Sequence, residues 1–197
     1  FVFIIRRPRR YTLFPYTTLF RSGSEWNLNE LRGRQCYGGL DLASRRDIAA
    51  LVLFFPGIDD EPHRIVCRFW CPEDQIRERS REDGVPYEQW VADGLLTATH
   101  GNVIDYAYIR KDINDLAEMF EIVNIGYDRW NATQLVLELM DDGATLAGFG
   151  QGFASMSDPA KDLEKMVLAR QIDHGGNPVL RWMRSEEHTS ELQSPNT

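Results

Sequence analysis

Three apolar runs open the patterned part of the chain and predict β-strands at residues 35–42, 48–55 and 64–70. The runs are rich in aromatic and branched apolar residues. Turn signals at residues 56–57 and 59–60 separate the second run from the third. Because short turns join successive strands in opposite directions, the pattern predicts a three-stranded antiparallel meander.

After residue 72 the apolar residues recur at helical rather than strand spacing. Pro72 is a residue typical of a first helical turn and predicts a short helix that Asp83-Gly84 ends. A second short helix is predicted at 86–92, followed by an extended connector at 95–103.

The second half of the chain alternates helices with strands. Asp105 is placed to cap an amphipathic helix with an apolar stripe, and the acids off that stripe predict a solvated face. The stripe is Tyr108, Ile109, Ile113, Leu116 and Phe120; the acids are Asp112, Asp115, Glu118 and Glu121. The later predicted elements are a strand at 121–127, a helix at 131–140, a strand at 146–149 and a helix from Ser155 to Arg170. This order predicts an α/β fold with a mixed sheet flanked by helices.

The first strand carries one carboxylate, Asp41, on the face that it shares with Gly39 and Ala43. A carboxylate in a strand beside glycines is costly unless a cation or hydrogen bonds compensate its charge. One hypothesis is a metal ligand. The other is that Asp41 ends the strand and caps a turn through Ser44 and Asp47.

A second carboxylate, Asp128, follows the strand at 121–127. Ligand sites in α/β sheets favour the carboxyl ends of parallel strands. If this strand lies parallel to the first, Asp41 and Asp128 converge into an oxygen-rich pocket. Two such carboxylates are ionised together when divalent cations neutralise them. We therefore expect two Mg²⁺ or Mn²⁺ ions, which would activate water and stabilise the leaving oxygen in phosphodiester hydrolysis.

The two ends of the chain differ from the rest. Residues 1–22 and 184–197 resemble in-frame translations of common sequencing adapters, and we do not expect them to be part of the fold. A signal peptide is the alternative for the first end, but its apolar run of residues 1–5 is too short for one. Residues 23–183 are then expected to form one domain, truncated at its C-terminus.

The charge and the cysteine content limit the classes of function that this chain can have. The formal net charge is −8, and without the two ends the chain keeps 16 basic and 27 acidic residues. A broad basic nucleic-acid surface is thus excluded. The three cysteines indicate no disulfide framework, and no membrane-spanning stretch is present, so we expect a soluble intracellular protein. His63, Cys67 and Cys71 have a spacing that suggests zinc, but on a strand the cysteines fit apolar positions better.

Five blocks of the chain together resemble the nuclease domain of phage terminase large subunits. The blocks are GGLDLASRRDIAALVLFFP, FWCPEDQIRERSREDGVPYEQWV, GNVIDY, YDRWNATQLVLELMDDG and FGQGFASMSDPAKDLEKMVLARQIDHGGNPVLRWM. The resemblance implies a ribonuclease H-like fold and a metal-dependent endonuclease that cuts concatemeric viral DNA. It also implies double-stranded DNA, an N-terminal ATPase domain, a portal and a small terminase subunit as partners, in the cytoplasm of an infected bacterium.

The resemblance implies that Asp41 and Asp128 correspond to the family's first and second catalytic metal carboxylates. The family's third carboxylate lies beyond residue 183, where the adapter-like sequence begins, so this chain is expected to be inactive or nearly so. Five more residues could support the site, by shaping the loop beside the metals or by binding DNA phosphate, but ordinary roles in a turn or on a helix surface are equally plausible for them. They are Ser44, Asp47, Arg129, Asn131 and Gln134.

Two alternatives remain open at this point. One is a ribonuclease H-like docking module of a packaging complex or decayed prophage, in which the acids are structural. The other is a different nuclease with the same metal chemistry, such as a resolvase or transposase. His174 as a general base is a further alternative, although metal-bound water needs no histidine.

Overall fold

A computed structural model describes residues 26–42, 48–128, 133–150 and 152–183. Its first three strands are β1 (Gln35–Asp41), β2 (Ala49–Phe55) and β3 (His63–Pro72). Both β1 with β2 and β2 with β3 pair antiparallel, which confirms the predicted meander. The third strand is longer than predicted because its pairing continues into Cys71 and Pro72, which bond to a further strand.

The segment after β3 holds one strand that the pattern did not predict. A 3₁₀ turn (Glu73–Gln75), α1 (Ile76–Glu82) and α2 (Tyr87–Ala92) occupy the place of the two predicted short helices. Within the predicted connector, β4 (Thr97–Thr99) pairs parallel with the end of β3. Three residues are too few to show a period, so only the neighbouring strand defines this element.

Helix α3 (Tyr106–Met119) begins directly after the residue that the sequence predicted to cap it. The Asp105 side chain accepts a hydrogen bond from the Ala107 backbone N–H at 2.9 Å. Four members of the predicted stripe are buried against the sheet, namely Ile109, Ile113, Leu116 and Phe120, but the fifth, Tyr108, is 39% exposed. The prediction of a solvated acidic face was wrong at one position. Asp112 accepts a 2.7 Å hydrogen bond from the indole N–H of buried Trp70.

The later elements follow the predicted order. They are β5 (Glu121–Asp128), α4 (Thr133–Asp141), β6 (Leu146–Phe149), α5 (Phe153–Leu168), β7 (Ile172–Asp173) and α6 (178–183). Helix α5 begins and ends two residues earlier than predicted, and Pro159 lies inside it. The two-residue strand β7, which was not predicted, pairs with the start of β3.

One mixed sheet organises these elements, with strand order β4-β3-β2-β1-β5-β6 and β7 beside β3. β1, β5 and β6 run parallel, so the carboxyl ends of all three meet at one edge. One face of the sheet buries a core with α3 and α4, which includes Leu40, Ile113 and Leu139. The other face buries a second core, which includes Val52, Phe69 and Leu163. Within the described ranges, no helix is long and apolar enough to span a bilayer.

Helices α3 and α4 are joined by a charged clamp. Two nitrogens of Arg110, Nε and Nη2, donate to the two oxygens of Asp142 at 2.6 Å each. Asn114 also donates to Asp142, at 2.8 Å. The Arg110 guanidinium, and then the Asn114 amide, lower the pKa of Asp142 from 3.8 to about 2. The clamp sets the register of the two helices that flank β5.

Because of this clamp, we expect the difference in stability between the unchanged chain and a variant without Asp142 to depend on pH. Asp142→Ala is expected to lower the melting temperature at neutral pH by about 1–3 °C, since a geometrically good surface pair contributes little. A carboxylate with a lowered folded-state pKa stabilises above its unfolded pKa and loses that effect as pH falls through its folded pKa. The difference should therefore shrink as pH falls below about 4 and vanish only below about pH 2 in thermal melts. The neighbouring exposed Asp141→Ala is the control, and an equal loss in both variants would contradict the clamp.

Candidate functional site

The sheet brings Asp41 and Asp128 to the same edge. β1 and β5 pair parallel, with Gly39 opposite Gly126 and Leu40 opposite Tyr127. The next residue of each strand is the aspartate, so the two backbones lie about 4.8 Å apart there. Both aspartates lie on the sheet face opposite Leu40. The parallel pairing that the sequence hypothesis required is therefore present.

The two carboxylates have different surroundings. Asp41 is 2% exposed, whereas Asp128 is partly exposed. Asp41 pairs with Ala50 of β2 and Asp128 with Phe149 of β6, so both lie within the sheet rather than at its outer strands. Burying a carboxylate beside a second one is costly unless its charge is compensated. This arrangement suits a pair of ligands to a hard cation.

A glycine in β1 leaves room for a side chain of the neighbouring strand β5. A Cβ at Gly38 would lie 2.8 Å from Cγ1 of Ile125, its cross-strand neighbour. Real Cβ atoms essentially never approach that closely. A Cβ at Gly126, one position further along the same strand pair, would meet nothing nearer than the Gly38 carbonyl oxygen at 3.8 Å. β1 therefore needs a glycine at position 38, and sequence reasoning missed this requirement.

Comparison with known proteins identifies the family. The family model for the terminase large subunit, endonuclease domain, matches residues 24–195. The chain belongs to this family. The terminase large subunit of Enterobacteria phage HK97 is 36% identical over 149 residues, which are 75% of this chain and 29% of that protein. Protein YmfN of Escherichia coli strain K12 is 29% identical over 162 residues, 79% of this chain and 36% of its own length.

A solved structure supports the same conclusion. The crystal structure of the HK97 bacteriophage large terminase matches with a TM-score of 0.71 and 32% identity. The match covers 84% of this chain and 33% of that one. It confirms the predicted mixed, ribonuclease H-like α/β fold. The terminase chain thus spans about a third of the length of the relatives that it matches, and the family match disfavours the resolvase or transposase alternative.

The predicted supporting residues of the terminase site are only partly placed. Ser44, Asp47, Arg129 and Asn131 lie outside the described residues, and their roles stay predictions. Gln134 is exposed at the start of α4 and donates to Glu138 of its own helix at 3.0 Å.

The structure places His174 far from the two carboxylates. β7 ends in Asp173, which pairs with Arg64 near the start of β3. Asp41 lies at the level of Ala50 and Phe69, near the end of β3. Five residues of strand separate the two levels, about 16 Å. His174 therefore lies at the opposite edge of the terminase sheet and does not fit a general base for that site.

All three cysteines are buried, including Cys67 and Cys71, whose spacing with His63 suggested zinc. Burial raises the pKa of Cys67 and Cys36 to about 12 and also raises that of Cys71. His63 accepts a 2.8 Å hydrogen bond on Nδ1 from the Gly57 backbone N–H. Among the described residues no group of three or more His, Cys, Asp or Glu is arranged to hold a metal. In this terminase domain the thiols serve as apolar strand residues.

Thiol reactivity tests that assignment. Because the thiolate reacts and the thiol does not, the buried cysteines should react with Ellman's reagent at least about 100-fold more slowly than an exposed cysteine. Ala92 is exposed at the end of α2, so Ala92→Cys supplies the exposed reference in the same protein. All three native thiols should react rapidly in denaturant. Fast reaction of a native thiol in the folded chain would contradict its burial.

Proposed function

We propose that the natural protein containing this chain is a DNA-packaging terminase whose nuclease domain cuts concatemeric viral DNA. The observation that supports this most directly is the parallel pairing of β1 with β5, which sets Asp41 and Asp128 side by side. The family membership supplies the reaction class, an endonuclease. The substrate is double-stranded DNA, and the place of action is the cytoplasm of an infected bacterium.

In this proposal Asp41 and Asp128 are the catalytic carboxylates and hold Mg²⁺ or Mn²⁺. Carboxylate oxygens are the ligands that these hard cations prefer, and a cation offsets the cost of keeping Asp41 buried and charged. When bound, two such ions supply an activated water and charge stabilisation at the leaving oxygen of phosphodiester hydrolysis. The sheet would hold Asp41 in position as a ligand, because β2 pairs with one side of β1 and β5 pairs with the other.

The proposal includes two further elements outside the described residues. One is a third metal carboxylate downstream of residue 183, without which this 197-residue chain is inactive or nearly so. The other is an N-terminal ATPase domain that, with the portal and small terminase subunit, moves DNA. The excess of acidic residues in this chain fits that division, since DNA would be held by metal ions and other parts of the assembly.

Extension of the coding sequence tests this function. Sequencing outward from the source DNA gives the natural codons beyond residue 183, and the extended domain can be expressed beside the 197-residue chain. We expect the extended domain to nick supercoiled plasmid with Mn²⁺ and to lose that activity with EDTA. The 197-residue chain should show no cleavage above the metal-free background. A downstream sequence without an acidic residue, together with an inactive extended domain, would favour the docking-module alternative.

A further inference from the structure

Helix α6 (178–183) carries the chain from one edge of the sheet toward the other. Just before this helix, β7 pairs parallel with the start of β3, with Asp173 opposite Arg64. β7 therefore runs in the same direction as β3, and the later part of β3 lies level with Asp41. The chain that leaves β7 is thus directed toward the edge where the two carboxylates lie.

The start of α6 is held by local contacts. The Asn177 side chain accepts hydrogen bonds from the backbone N–H groups of Val179 and Leu180, at 3.0 and 3.1 Å. In the preceding turn Gly175 has a φ of 61°, and a Cβ there would lie 3.4 Å from Nε1 of Trp26. A helix as short as α6 is not stable by itself, so its position depends on contacts with the rest of the domain.

The end of α6 is held by an aromatic cluster of Tyr87, Trp90 and Trp182. The ring centre of Trp182 lies 5.5 Å from those of both Tyr87 and Trp90, which are residues of α2. The Tyr87 and Trp90 ring centres lie 5.3 Å apart, and both side chains are buried in the second core. Aromatic pairs at such distances attract each other beyond the apolar area that they bury. The aromatic cluster therefore fixes where the main chain leaves α6.

The aromatic cluster lies near the level of the carboxylates and on their side of the sheet. The Arg79 guanidinium lies 5.5 Å from the centre of the Tyr87 ring and also hydrogen-bonds with Cys71. Cys71 comes two residues after Phe69 on β3, and Phe69 shares a row across the sheet with Asp41. Cys71 and Asp41 therefore lie on one face, with two strand spacings, about 10 Å, between β3 and β1.

We propose that the aromatic cluster positions the segment that follows α6 in the natural protein, so that this segment reaches the carboxylate edge and completes the cation site there. Trp182 is then a positioning residue for DNA cleavage, and it acts through the third metal carboxylate. This role rests on the proposed function, and it adds which side chains of this chain bring that carboxylate to Asp41 and Asp128.

Three substitutions in the domain extended beyond residue 183 separate this role from general stability. Trp182→Ala removes the ring at the end of α6, whereas Trp182→Phe keeps an aromatic ring there. Ile113→Ala leaves a cavity in the first core, on the opposite face of the sheet, and is the control for lost stability. Circular dichroism melts give a temperature at which the unchanged domain and all three variants are folded.

Mn²⁺ binding and plasmid nicking are measured at that temperature. We expect Trp182→Ala to weaken Mn²⁺ binding about tenfold and to slow nicking at least as much, because a site with fewer carboxylates holds a divalent cation less tightly. Trp182→Phe and Ile113→Ala should each change Mn²⁺ binding less than about threefold, since one keeps the ring contact and the other is distant. Equal weakening by Trp182→Ala and Ile113→Ala would overturn the proposal, as would unchanged Mn²⁺ binding in Trp182→Ala.

Hydrogen exchange tests the placement of the segment without cleavage. In the segment after residue 183, Trp182→Ala should speed amide exchange about tenfold or more, while exchange in α3 stays unchanged. Equal protection of that segment in the variant and the unchanged domain would overturn the proposal, whether or not the domain cleaves DNA. An unchanged domain that neither binds Mn²⁺ nor nicks plasmid would instead contradict the proposed function, and the exchange measurement would still decide the role of the aromatic cluster.

Discussion

In the domain extended beyond residue 183, Asp41→Asn is expected to abolish Mn²⁺ binding while the domain stays folded. Replacing one carboxylate oxygen by an amide nitrogen removes the charge and one hard ligand atom from the set that holds the cation. At a Mn²⁺ concentration ten times the dissociation constant, binding should stabilise the unchanged extended domain by about 1.4 kcal/mol. Thermal melts with and without Mn²⁺ measure this increment. Paramagnetic broadening of the Gly39 and Gly126 amide signals locates the ion.

Two further substitutions give this prediction its controls. Asp128→Asn should also remove the Mn²⁺ increment, because the proposed site needs both carboxylates. Asp158→Asn replaces an acid on α5 whose side chain is 87% exposed and should leave the increment unchanged. If the Asp41→Asn chain keeps full Mn²⁺ stabilisation, Asp41 is not a metal ligand and the docking-module alternative gains support.

Gly38→Ala is expected to destabilise the fold by about 1–3 kcal/mol, the usual cost of overpacking a close-packed site. The new methyl group would stand 2.8 Å from Ile125 Cγ1, an atom held near the backbone of β5. Ile125 is buried in the first core, so its side chain cannot swing into solvent. Urea unfolding of the two proteins measures the difference in the free energy of unfolding.

The same strand pair contains the control for this substitution. Gly126→Ala adds the same methyl group where the nearest atom is 3.8 Å away, so its effect should stay within about 0.5 kcal/mol. Trimming the neighbour should relieve the clash. The double variant Gly38→Ala with Ile125→Ala, which removes both Cγ atoms of the neighbour, is expected to lose less than the sum of the two single variants. Equal losses at Gly38 and Gly126 would show that the contact with Ile125 does not cause the effect, since strand propensity favours alanine over glycine at both positions.

The sequence predicted the long elements well because their patterns are local. The meander, the cap at Asp105 and the buried stripe of α3 follow from periodicity and capping chemistry within each segment. It missed β4 and β7, which are two or three residues long and exist because β3 offers them hydrogen-bond partners. It also placed Asp112 on a solvated face, since the contact with Trp70 joins elements that are distant in the chain.

For the candidate site, the sequence by itself placed Asp41 within the first predicted strand and Asp128 directly after the strand at 121–127 of an α/β fold. Only the tertiary structure decided that β1 and β5 are parallel neighbours, and that His174 lies at the other edge of the sheet. The physical reason is that period and capping act over a few residues, whereas strand order depends on packing between distant segments. The fit of Ile125 beside Gly38 is such a contact, and no local pattern contains it.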